Sequence, residues 1–193
     1  GSVVVEKVYL EPNSRGVMEL EIDAITAGES GDIIRAFEQT PVWSNIASNL
    51  GSWQFAGGVD AEISIRSELS PGVTPQILID AELNGVDLRI DEVGLSIADL
   101  TGRVESDLYS LESSDLEGFF YNDPLALQLS GNLDDLSLGF DTTATIIELA
   151  DWVGQPLDLF GVGTTDLTGS FSLRNDAPPR VIVQSNLVGV AVD

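Results

Sequence analysis

Apolar and polar residues alternate along most of this chain. Ile77, Ile79, Ala81 and Leu83 share one parity; Gln76, Asp80, Glu82 and Asn84 share the other, with Leu78 the exception. A period of two puts each set on its own face of a β-strand. The pattern recurs at Val59, Ala61, Ile63, Ile65; at Leu125, Leu127, Leu129; at Leu136, Leu138, Phe140; at Leu167, Gly169, Phe171, Leu173; and at Val181, Val183. Val86, Leu88 and Ile90 alternate as well, followed by Val93, Leu95 and Ile97. From Leu100 to Val104 the parity has slipped by one, which predicts a β-bulge near Asp99. Met18, Leu20, Ile22 and Ala24 predict an early strand, preceded by an apolar stretch from Val3 to Leu10.

Helical spacing interrupts the strands in two places. Ile33, Ile34 and Phe37 fit a short helix with Ser30 near its start. Thr40-Pro41 then reads as an N-cap with proline at the first helical position, and Val42, Trp43, Ile46 and Leu50 as the buried face before Gly51. A third helix runs from Thr145 to about Val153, burying Ile146, Leu149, Ala150 and Val153, with Gly154 and Pro156 ending it. Turns are expected at Asn84-Gly85, Asn122 to Pro124, Gly131-Asn132 and Asn175-Asp176. Strands at this spacing predict antiparallel meanders. The fold class expected is therefore mainly β: a long, curved antiparallel sheet forming a repeated groove, with a few short helices near 31–50 and 145–153.

The chain also repeats itself. Pro75-Gln-Ile-Leu-Ile-Asp-Ala-Glu-Leu83-Asn-Gly85-Val-Asp-Leu88 returns without a gap as Pro179-Arg-Val-Ile-Val-Gln-Ser-Asn-Leu187-Val-Gly189-Val-Ala-Val192. Gly58 to Arg66 resembles Thr165 to Arg174, and Ile33-Ile34 and Ile146-Ile147 each open a helical stretch. The copies are expected at about 31–140 and 145–193, the second stopping in mid-unit, within one continuous sheet. Gly1-Ser2 reads as a cloning remnant, and residues 1–193 as one fragment of a longer array.

Composition narrows the function. There are 32 acidic residues against 8 basic ones, with Lys7 the only lysine, and the net charge is −24. Nucleic acid requires the opposite sign, because phosphate contacts come from Lys and Arg. An anionic membrane surface also repels such a segment. Cysteine and histidine are absent. Thiol nucleophiles, imidazole bases and Cys/His zinc sites are thereby excluded. Asp134-Asp135 and Glu112 to Asp115 are pairs that this acidity and turn chemistry produce without catalysis. Asp151 and Asp166 sit near turns, and no Asp-x-Asp-x-Asp-Gly calcium loop exists. Gly154 to Gly163 lacks the Lys-Ser/Thr ending of a phosphate loop. No catalytic residue, metal or cofactor is expected.

Two features remain. Phe119-Phe120-Tyr121 suits a strand end packed on one side, or an apolar lip for a ligand. Trp43, Trp53 and Trp152 read as core or helix–sheet contacts. The stronger candidate is distributed. Many one-sided strands need a cover, and three short helices are few. Either two sheets close on each other, or a curved sheet leaves an apolar channel suited to acyl chains. Periodicity alone leaves both open. In the channel reading Ile63, Ile65, Ile77, Ile79, Leu83, Leu88, Ile90, Leu95, Ile97, Leu127, Leu129, Leu138 and Phe140 line it.

The order of segments resembles a known family. Phe37-Glu-Gln-Thr40-Pro41-Val42 is similar to the L-x-x-T-P-L helix junction of the AsmA-like superfamily, in its YhdP-like branch. Gly94-Leu95-Ser96-Ile97-Ala98-Asp99-Leu100-Thr101-Gly102-Arg103-Val104 resembles that branch's l-x-l-x-x-l-x-G-x-l. Ser114 to Leu125 resembles its s-x-l-x-a-x-l-x-G-x-P-v hairpin, with Asn122-Asp123 where glycine is usual. Ser185-Asn186-Leu187-Val188-Gly189-Val190 resembles S-D-L-x-G-l, with Asn for Asp. The resemblance implies a periplasmic segment of an inner-membrane-anchored envelope protein. It implies a passive conduit for phospholipid or other acyl-chain lipid between inner and outer membranes, met by membrane proteins at the ends of the full-length protein. The alternative is a structural or adhesive β-sandwich module that holds no ligand.

Overall fold

The computed structural model describes residues 2–32, 35, 53–107, 109–132, 135–156, 161–174 and 177–191. The strands are β1 (Ser2–Pro12), β2 (Met18–Glu29), β3 (Trp53–Glu68), β4 (Gln76–Ile90), β5 (Leu95–Asp107), β6 (Ser110–Phe120), β7 (Asp123–Asn132), β8 (Asp135–Thr145), β9 (Val162–Arg174), β10 (Ala177–Ser185) and β11 (Val190–Ala191). One helix, α1 (Ile146–Val153), follows β8. Each strand from β1 to β10 pairs antiparallel with the next, in chain order. β11 returns to β9: Ser185 opposes Leu167 and Val190 opposes Gly163, so β10 and β11 share one edge of β9. The mainly β, curved antiparallel sheet read from the alternation is what the chain forms. It is one ladder, not two separate sheets.

The apolar parity becomes a single inner face. Val86, Leu88, Ile90, Leu95, Ile97, Leu116, Phe120, Leu125, Leu138 and Phe171 are buried there in one cluster. The sheet coils about this face. Trp53, at the start of β3, lies 6.2 Å from Phe171 of β9, although five strands stand between them in the ladder. Phe140 packs over Gly169 of its partner strand; a Cβ there would fall 2.2 Å from the ring. The outer face is polar and mostly acidic. Its few cations bridge strands: Lys7 to Glu21 at 3.2 Å, Arg66 to Glu21 at 3.4 Å, and Arg103 to Asp80. Such exposed pairs add little stability.

Bulges set the coil. Asp99 has φ +53°, and the β5–β6 register shifts between Ala98 and Thr101, where the parity slip predicted a bulge. Asn84-Gly85 is no turn. It lies within β4, where Gly85 (φ +67°) takes part in a register shift against β5. The alternation through Val93 is also broken, because Asp91–Val93 form a 3-10 turn closed by Gly94. Asn175-Asp176 and the expected helix at 41–50 lie outside the described residues, as do Ile33, Ile34 and Phe37; Ser30, Gly31, Asp32 and Arg35 are helical.

The sequence repeat has counterparts in space. Gly57 (φ +129°) passes so close to β4 that a Cβ would meet the Gly85 carbonyl at 2.3 Å. Gly163 (φ +131°) does the same to Gly189, at 2.1 Å. Only glycine tolerates both the backbone angle and the approach. Upstream, the Thr26 hydroxyl donates to the Ser2 carbonyl and the Thr142 hydroxyl to that of Pro124. Val3 opposes Thr26 as Leu125 opposes Thr142. Thus β1–β2 are built like β7–β8, and β3–β4 like β9 with β10–β11.

Candidate functional site

The inner face divides into an open and a sealed part. The open part is the wall of β1–β4. A bulge between Val5 and Lys7 shifts the parity of β1 across Glu6. Val3 and Val5 before it, and Val8 and Leu10 after it, therefore stand opposite Thr26, Ala24, Ile22 and Leu20, all on the inner side. Lys7 is turned outward, where it also reaches Asp23 at 3.7 Å and lies 4.3 Å from the Tyr9 ring centroid. Its hydrogen bond to Glu21 holds the ammonium pKa above its ordinary value. Val3, Val5, Val8 and Leu10 are all more than half exposed. The wall continues through half-buried Leu20, Ile22, Ile63, Ile65, Ile77, Ile79 and Leu83.

The sealed part covers β5–β9 and the end of β4. Leu88, Ile90, Leu95, Ile97, Leu127, Leu129, Leu138 and Phe140 are each no more than 8% exposed. Part of their cover is α1. Its N-terminus is a capping box: the Glu148 amide donates to the Thr145 hydroxyl at 3.2 Å, and the Thr145 amide to the Glu148 carboxylate at 2.8 Å. Such reciprocal caps satisfy two otherwise orphaned donors. Gly154 ends the helix in the left-handed region. Ile146 and Leu149 point into the core, whereas Val153, expected to be buried, is exposed. Trp152 spans the mouth. Its indole N–H donates to the Val93 carbonyl at 3.1 Å, and its ring meets Phe120 edge-on at 5.2 Å. Beneath it lies an apolar void of about 10 Å³, bounded by Leu95, Ile97, Leu125, Leu127 and Phe140. That is at the limit of one water molecule, and its apolar lining offers water no partner.

The sequence-derived lining set is thus split in two. Ile63, Ile65, Ile77, Ile79 and Leu83 belong to the open wall; the other eight lie in the sealed part. Sequence reasoning missed Val3, Val5, Val8, Leu10, Leu20 and Ile22 as wall residues. For β1 the slip at Glu6 broke the period that would have shown the signal; on β2 the alternation of Leu20 and Ile22 was visible but gave the strand, not its place in the wall. Of the aromatic triplet, Phe120 is buried, whereas Phe119 and Tyr121 are largely exposed. Tyr121 stands beside α1, and desolvation, together with Asp151 and Glu148, pushes its phenol pKa upward.

On the outer face two hollows of about 470 Å³ each are lined by carboxylates such as Asp60, Glu62, Glu105 and Glu112, around Asp80 and Arg103, the first of them also by Val4 and Ile25. Among the described residues no carboxylate group is arranged to hold a metal ion. Asp134 lies outside them, and Glu112 and Asp115 are exposed. No described helix is long and apolar enough to cross a membrane.

The chain matches one family model, described as YhdP protein, over residues 14–193. The chain belongs to the YhdP family. No curated protein and no solved structure matched it. The family match covers β2 through β11, and so takes in the sealed part and the β2–β4 portion of the open wall; β1, with Val3, Val5, Val8 and Leu10, precedes it.

Proposed function

We propose that this chain is part of a passive lipid conduit of the cell envelope, in which the inner wall of β1–β4 cradles acyl chains while the head group stays in water. One observation carries the reading: a run of apolar side chains on one sheet face, from exposed Val3, Val5, Val8 and Leu10 to half-buried Ile77 and Ile79, stays in reach of solvent while the opposite face is mostly polar and charged, with Val4, Ile25 and Leu78 its exposed apolar residues. Membership of the YhdP family supports an envelope function related to lipid transport. The driving force is burial, at about 0.8 kcal/mol per methylene removed from water. The wall has no convergent polar groups, so it grips by area and lets go as readily, which suits conduction rather than storage. Phospholipid between inner and outer membranes is the cargo favoured, in a periplasmic segment, with direction imposed by membrane proteins at the ends of the full-length protein. No step in this reading requires catalysis.

The test is mass spectrometry of an organic extract from the purified chain, repeated after exposure to phosphatidylethanolamine vesicles. Lipid is expected in near-stoichiometric amount. Ile79→Asp is expected to lose it while keeping the far-ultraviolet circular dichroism of the parent. A parent chain that carries no lipid and takes none from vesicles overturns the reading and leaves the ligand-free structural module.

A further inference from the structure

We propose that α1 is a displaceable plug over a second acyl-chain site, with Trp152 as its latch; this rests on the conduit reading above. The floor beneath α1 is formed by Leu95, Ile97, Leu125, Leu127 and Phe140, from strands laddered on both sides. The helix itself is joined to the sheet more weakly. It has eight residues, short of the ~12–15 that an isolated helix needs in water, so it persists only through what it packs against. That packing is two fully buried side chains, Ile146 and Leu149, plus Trp152. Lifting it breaks no strand pairing.

The internal likeness shows such a floor in a more exposed setting. Val3 and Val5 hold in β1–β2 the places that Leu125 and Leu127 hold in β7–β8. The first pair is 65% and 55% exposed, the second 4% and 6%. The same wall is bare in one place and stoppered in the other. The void under Trp152 is wholly apolar in its lining, so hydrocarbon is the suitable replacement for the indole. Trp152 closes the floor at its Ile90–Leu95 end, beside the 3-10 turn, and displacing the indole opens that end of the floor to an acyl chain. Among the described residues the polar bond to break is Trp152 N–H to the Val93 carbonyl, which sits on the 3-10 turn at the rim.

The probe is a dibrominated stearate, whose bromines quench indole emission at contact. In a Trp43→Phe, Trp53→Phe variant Trp152 is the only indole. Its emission is expected to be quenched as the probe binds. Trp152→Phe keeps a ring over the void but loses the N–H donor, and is expected to bind the probe about five- to tenfold tighter, the worth of one such bond. Should the Trp53 change unfold the chain, Trp152 quenching is read as the difference between the parent and Trp152→Phe, both retaining Trp53. Probe that binds without quenching Trp152, and with equal affinity for Trp152→Phe, overturns the plug and leaves the open wall as the site. No binding by either variant overturns the plug and the conduit together.

Discussion

The wall of β1–β4 and the floor of β5–β9 carry the same alternation and end in opposite states. In the first, apolar side chains stay wet. In the second, the same kind of residue is almost completely dry. Their own strands do not explain the difference. The sealed part is closed from above, by α1 and by the coil that brings Trp53 against Phe171. Alternation therefore defines which side of a strand is apolar, but not whether that side becomes core or surface. Stability and ligand capture are accordingly separated along one sheet: the closed part supplies the burial that folding needs, and the open part is free to bind.

The largest effect that checks this division is in the floor. Phe171→Ala should cost about 3–5 kcal/mol in urea unfolding, as a large aromatic removed from a packed interior does. Val5→Ala on the open wall should stay within ~0.5 kcal/mol. Equal losses at both positions would erase the distinction. Next come the two glycine crossings. Gly57→Ala and Gly163→Ala should each destabilise by about 1–3 kcal/mol, the range for a strained backbone. The Gly57 change should be the worse, because β3 and β4 are held between neighbours whereas β11 is a short edge piece that can shift. Equal thermal shifts would show that the edge is as rigid as the interior. Val5→Asp and Ile22→Asp should move stability by less than about 1 kcal/mol, since both side chains already touch water. They should nevertheless remove acyl-chain binding, measured by probe titration; retained binding would place the ligand elsewhere.

The smallest expected effect is a pH dependence in the β5–β6 turn, at the surface. Asp107 accepts the amides of Tyr109 and Ser110, both at 2.6 Å, in the β5–β6 turn, and these bonds hold its carboxyl pKa below the ordinary 3.8. A depressed pKa stabilises the folded state above the unfolded value, and that contribution is lost as pH falls through the folded one. Amide protection in this hairpin should therefore drop below about pH 4. The drop should be absent in Asp107→Asn, and the strands beneath α1 should not share it.

Much of the fold was readable beforehand. Each strand from β3 to β9 except β6 left a period of two, and the bulge at Asp99 left a parity slip. Thr145, Glu148 and Gly154 marked α1 at both ends, because caps are local chemistry. Asn84-Gly85 misled for a physical reason. The dipeptide favours a positive φ, and a bulge inside a strand uses that angle as readily as a hairpin does. Val153 misled because helical spacing places a face but not the reach of the sheet beneath it.

Local pairing, the apolar side of each strand and the ends of α1 follow from neighbouring residues, so the amino-acid order by itself determined them. Which apolar residues would be covered depended on contacts between Trp53 and Phe171, and between Trp152 and Val93, more than fifty positions apart in each case. Those contacts arise from twist accumulated through successive bulged strands, and no single stretch of sequence contains that sum. Tertiary structure alone decided that Val5 faces water and Leu127 does not.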